Sequence, residues 1–139
     1  MSFREKSAWI SFVLILIFGG LWLRNVIQVE FFGLRQNPML QFFGMLAALI
    51  AAEVGLHIAI AIQSPHEART PKDEREKLID LKASRVGFFV LMVGAWTSIG
   101  TLHLPNSNRF LMAQFMMGSI IIAVLTRFAT QIALYRRDA

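Results

Sequence analysis

The chain has 139 residues, 55% of them hydrophobic and 17% charged, with a formal net charge of +5 and no cysteine. Soluble domains carry roughly 45–50% apolar and about 25% charged residues, so the composition sets an aqueous globular enzyme aside, and the missing thiols exclude a disulfide framework or a thiolate metal centre. The sequence pI near 10.5 does not imply nucleic acid, because the basic residues in 65–85 alternate with acids and have no aromatic residue among them; they read as topology signals and contacts to anionic headgroups.

The apolar residues gather into four blocks, residues 8–29, 39–62, 83–104 and 110–132. Each is close to the roughly 20 residues that cross about 30 Å of hydrocarbon at about 1.5 Å per residue. A bilayer has no water to satisfy open strand edges, so spans of this length are helices. The expected fold is all-α: an integral membrane four-helix bundle in up-down-up-down order, one domain over residues 1–139.

The first block is preceded by Ser2-Phe3-Arg4-Glu5, an S-x-x-E helix cap. Its apolar run exceeds a signal-peptide core and no small-x-small cleavage site follows, so it is expected to stay as a helix. Arg24 interrupts it near the outer end, where a long cationic side chain can snorkel. Trp9 and Trp22, like Tyr135 just beyond the last block, stand near span ends as interfacial aromatics do.

The second block contains AAEVGLHIAI, which puts Glu53 and His57 among hydrocarbon side chains. Gly44, Ala47, Ala48, Ala51, Ala52, Gly55 and Ala59 form a small-residue stripe that permits close helix approach, and Glu53 and His57 fall on the roughly opposite side. This helix is therefore expected to be the most enclosed of the bundle, or to sit at an oligomer interface.

Between the second and third blocks lie two helix starts, Ser64-Pro65-His66-Glu67 and Thr70-Pro71-Lys72-Asp73. The second fits better, since no Pro or Gly follows until Gly87, and it predicts a helix from about Pro71 that runs unbroken into the third span. Asp73 and Lys77 make an i,i+4 pair in the favourable order. The extension over residues 71–85 is either a solvated, salt-bridge-laced helix or a docking surface, with Asp73, Glu74, Arg75, Glu76 and Asp80 as its candidate residues, for a partner or a second copy.

In the third block His103 stands at the opposite end from His57, so the two do not share a haem, and His57 with His66 is a poor metal pair across Pro65. No metal or cofactor is expected. Met112 and Met116 read as fillers of helix contacts. In the fourth block Ser119, Ala123, Thr126, Arg127 and Thr130 make one small and polar face that should turn inward.

Of the Lys and Arg residues, eleven flank one side of the predicted spans and only Arg24, Arg35 and Arg109 the other. This bias predicts cytoplasmic termini. With that orientation Glu53 lies about 21 Å, His57 about 27 Å and Arg127 about 25 Å from the outer ends of their spans, so Glu53, His57, Arg127 and Thr130 form a candidate intramembrane polar cluster, with Ser11 close to the same layer. Two readings of Glu53 compete. In one it is clamped structurally by Arg127, with His57 and a Thr hydroxyl completing the hydrogen bonds. In the other it is a titrating carboxylate that binds a proton or cation during transport.

The segment Asp73-Glu74-Arg75-Glu76, followed by Ile79 and Ala83 and then a span, resembles a D-E-R-E-x-x-I pattern in small uncharacterised bacterial multipass membrane proteins. The resemblance covers about 15 residues, implies a bacterial cytoplasmic-membrane protein and carries over no active site. A four-helix chain with one membrane-embedded Glu also resembles the small multidrug exporters, but their essential Glu lies in the first helix beside aromatic residues, whereas Glu53 is in the second among alanines. That family shows only that so short a chain can transport as a dimer. No phosphate-binding Gly loop, G-x-S-x-G or H-E-x-x-H is present. The expectation is a non-catalytic accessory, sensory or regulatory protein of the bacterial inner membrane, whose partners are the lipid bilayer and a membrane protein or a second copy, not nucleic acid. The alternative is a proton- or cation-coupled homodimeric transporter using Glu53.

Overall fold

A computed structural model describes residues 3–32, 38–63, 73–105 and 109–137, and the chain divides into two units, Met1–Pro71 and Lys72–Ala139. The first holds α1 (Phe3–Phe32) and α2 (Pro38–Gln63); the second holds α3 (Glu74–Gly100), a short 3-10 turn over Thr101–His103, and α4 (Arg109–Arg137). All four expected helices are present, and no strand occurs among the described residues. Three stretches are long and apolar enough to cross a membrane: Arg4–Val29, Glu74–His103 and Leu111–Arg137. Within α2 the apolar stretch among the described residues is Leu46–Ile62, and the helix itself has 26 residues and a length of about 39 Å.

α1 and α2 pack on each other within the first unit. Along α1 the buried residues are Ala8, Ser11, Ile15 and Phe18, a three-four-three spacing that keeps them on one stripe. α2 opens on Pro38, whose missing N–H has no intrahelical acceptor at a first-turn position anyway. No described residue of α2 is buried. Gly44 and Gly55 of its small-residue stripe face open space. The Ser2 cap and the Ser64 start with His66 fall outside the described residues.

The start of α3 corrects the sequence reading. Asp73 has extended backbone and serves as the N-cap, so the helix begins at Glu74 and not at Pro71. The Asp73 carboxylate accepts from the Glu74 N–H at 2.7 Å, and the Glu76 carboxylate accepts in return from the Asp73 N–H at 3.2 Å. This reciprocal box satisfies donors that the first turn leaves without intrahelical partners, which the Thr70-Pro71 start would not do for Asp73 in mid-turn. Asp73 and Lys77 are joined through the backbone, Lys77 N–H to Asp73 C=O at 3.0 Å. The expected side-chain pairing gives way because the Asp73 carboxylate is engaged at the cap.

α3 and α4 form an antiparallel hairpin. The buried residues of α3 are Ile79, Ala83, Gly87 and Ser98; those of α4 are Ile121, Ala123 and Ile132. A Cβ on Gly87 would stand 3.0 Å from the Arg127 Cβ and 3.1 Å from the Ala123 carbonyl oxygen, and one on Gly94 would collide with the Ser119 Cβ and Oγ. Between apolar surfaces that lipid would cover equally well, close backbone approach at small residues drives helix association. The hydroxyls at this contact bond to carbonyls of their own helix: Ser98 to Gly94 at 2.8 Å, Thr101 to Ser98 at 2.6 Å and Ser119 to Phe115 at 2.7 Å. Each of these hydroxyls donates its hydrogen to a carbonyl, which is what burial of such residues requires. On the outer side Phe88, Phe89, Val93 and Trp96 are exposed.

α4 continues to Arg137, so its last turns lie alongside the charged first turns of α3.

Candidate functional site

Among the described residues each unit brings polar side chains of two helices together. In the first unit the meeting point is His57, one turn after Glu53 on α2. Its Nδ1 lies 3.0 Å from the Glu53 carbonyl oxygen. A carbonyl only accepts, so Nδ1 carries the hydrogen. The Nε2 lies 2.9 Å from the Ser7 Oγ on α1. In the neutral ring Nε2 is thereby the acceptor and the Ser7 hydroxyl donates to it; in the doubly protonated ring the direction reverses and the Ser7 oxygen accepts. The same two contacts thus survive gain or loss of a proton.

A Ser–His contact is also the first element of a nucleophilic site. Here Ser7 lies beyond the first turn of α1, where backbone N–H groups are already bonded within the helix. A nucleophile at Ser7 would have no adjacent pair of amides to stabilise an oxyanion. The arrangement joins α1 to α2 through the Ser7–His57 hydrogen bond. The Glu53 side chain is half-buried, and within its own unit its carboxylate has no described partner.

In the second unit the meeting point is Arg127. One terminal guanidinium nitrogen donates to the Asp80 carboxylate on α3 at 3.2 Å, with the side chains 42% and 27% exposed respectively. The guanidinium carbon sits 5.6 Å from the centre of the Phe128 ring, within cation–π range. The Arg127 Nε is enclosed and has no hydrogen-bond partner among the described residues. Gly87 makes the pair possible, because its missing side chain lets the Arg127 stem lie against α3. The Thr126 and Thr130 hydroxyls bond to the carbonyls of Ile122 and Thr126, each at 2.7 Å.

Of the expected cluster, then, Glu53 and His57 belong to the first unit and Arg127 and Thr130 to the second. The structure joins His57 to Ser7 and Arg127 to Asp80, and Thr130 to its own helix. Among the docking candidates Asp73 and Glu76 form the cap, Asp80 holds Arg127, and Glu74 and Arg75 are exposed. Among the described residues no group of three or more His, Asp or Glu is placed to hold a metal ion.

Depth along each helix adds a constraint. Lys6 and Arg24 of α1 are 18 positions apart, as are Arg109 and Arg127 of α4, which is about 27 Å of helix against about 30 Å of hydrocarbon. In a helix that crosses a bilayer, residues at that spacing fall near its two ends.

The sequence pointed to Ser11 and not to Ser7, and it missed Asp80 as the counter-ion. Gly87 and Gly94 were also passed over, although Ala83, Gly87, Gly94 and Ser98 make a small-residue stripe at helical spacing. Comparison with known proteins gives one match: the model of the family described as "Predicted membrane protein (DUF2178)" covers residues 5–139. No curated protein and no solved structure matches the chain.

Proposed function

Because the chain belongs to the DUF2178 family of predicted membrane proteins, we propose that it is a multipass protein of the bacterial inner membrane with four spans and cytoplasmic termini. Its role is that of a non-catalytic accessory, sensory or regulatory partner. The observation that carries this reading is the start of α3. There an exposed, acid-rich turn is fixed by a capping box and continues without a break into a helix long enough to cross the membrane. A contact made at Glu74 or Arg75 would be transmitted along one continuous helix to the α3–α4 hairpin in the bilayer. Purification in mild detergent tests this: a second polypeptide or a second copy should accompany the wild-type chain and be lost from Glu74→Lys with helicity unchanged. Recovery of a bare monomer in both cases refutes it.

A second reading is a proton- or cation-coupled transporter acting as a homodimer, with Glu53 as the coupling carboxylate. What favours it is that Arg127 is engaged by Asp80, and that the Glu53 carboxylate has no described partner in its own unit. Glu53→Gln in proteoliposomes should then abolish a proton flux that the wild type shows, while the mutant stays folded. Absence of flux in the wild type ends this reading.

A further inference from the structure

On the side of α3 turned away from Ala83 and Gly87, the residues Leu81, Ser84, Arg85, Phe88 and Phe89 line a shallow open groove. They repeat at i, i+3, i+4, i+7 and i+8, which is one face of a helix. Arg85 is the last charge before residues 86–102, which contain none and extend for about 26 Å. The groove therefore straddles the border between water and hydrocarbon, with a guanidinium and a hydroxyl at its polar end. Phe88 and Phe89, 58% and 68% exposed, form its apolar end.

Asp80, the acid nearest in sequence to Arg85, is engaged on the other side of α3 by Arg127, and among the described residues no carboxylate pairs with Arg85. Lys82, one turn earlier, adds a second cation. The geometry points to a seat for one anionic phospholipid: the phosphate on Arg85 and Ser84, an acyl chain along Phe88 and Phe89. Arg presents a fork that matches a phosphate group, and the exposed rings lie on the hydrocarbon side of it. A free phosphate ion would gain nothing from the two rings. An acidic soluble peptide would have to lay its polar backbone into hydrocarbon to reach them. The inference rests on α3 crossing the bilayer from Val86 onward and is independent of the role of Glu53.

The test is native mass spectrometry of the full chain in mild detergent, with phosphatidylglycerol or phosphatidylcholine of identical acyl chains added in turn. Phosphatidylglycerol should be retained about tenfold better. Arg85→Gln should remove that preference, Arg24→Gln on α1 should not, and Phe88→Ala with Phe89→Ala should weaken retention of the lipid. Millimolar inorganic phosphate should fail to displace it. Equal retention of the two lipids, an unchanged preference in Arg85→Gln, or displacement by inorganic phosphate would overturn the assignment.

Discussion

Gly94 lacks a side chain at the point where Ser119 occupies the space that one would need, and Gly87 does the same for the stem of Arg127. These two glycines set how closely α3 and α4 approach. Gly94→Ala forces a methyl group into the Ser119 side chain, and overpacking of this kind costs about 1–3 kcal/mol. Reversible unfolding in mixed micelles should show that loss, and Ser119→Gly in the same chain should recover most of it by vacating the space. Gly55→Ala is the contrast. Nothing lies within 4 Å of a Cβ there, so the change should be neutral or stabilise by up to about 1 kcal/mol through helix propensity. A Gly94→Ala variant as stable as the wild type would show that the hairpin has slack. At this scale the sequence was legible for types and not for partners. Ser119 and Ala123 were expected on an inward face, and they are at the hairpin contact. Arg127 was assigned to Glu53 because depth alone offered that acid, whereas Asp80 stood in a charged segment that read as solvated.

At the scale of the element, α3 joins two environments through one uninterrupted backbone. Its first turns are charged and capped, and its remainder is apolar and uncapped by any Gly, ending in the Thr101–His103 turn. The Asp80–Arg127 pair ties the border region of α3 to α4. Breaking a fully buried pair costs about 3–5 kcal/mol, but these side chains are 27% and 42% exposed, and exposed pairs contribute only about 0.2–1 kcal/mol. The pair should therefore lie near the lower range. Asp80→Arg should lower hairpin stability by about 1–2 kcal/mol, because two cations then face each other. The double exchange Asp80→Arg with Arg127→Asp should restore it, as read by hydrogen exchange at the start of α3. No restoration would mean that Arg127 acts through its packing on Gly87 and Phe128 alone. The four helices were readable because long apolar blocks bounded by charges and Pro have one solution in a bilayer. The cap was missed by three residues because Thr70-Pro71 and Asp73-x-x-Glu76 are both competent starts, and only geometry shows which carboxylate is aimed at a bare N–H.

For the molecule as a whole, the number of spans decides which side of the membrane each polar feature faces. α1, α3 and α4 are each long and apolar enough to cross, and α2 carries the apolar block 39–62, about 36 Å of helix against about 30 Å of hydrocarbon. If α2 crosses, the count is even and both termini share a side. If it does not, the count is odd, the termini are on opposite sides, and the charged start of α3 faces outward. The charge distribution favours the even count, since an outward α3 start would place Lys72, Arg75, Lys77, Lys82 and Arg85 on the side that basic residues avoid. The chain has no cysteine of its own, so single cysteines at Ser2 and Ala139 can be probed without altering the background. In intact cells a membrane-impermeant maleimide should label neither, and after permeabilisation it should label both. Labelling of Ala139→Cys in intact cells while Ser2→Cys stays protected would establish three crossings. It would also remove Glu74 and Arg75 from any cytoplasmic partner.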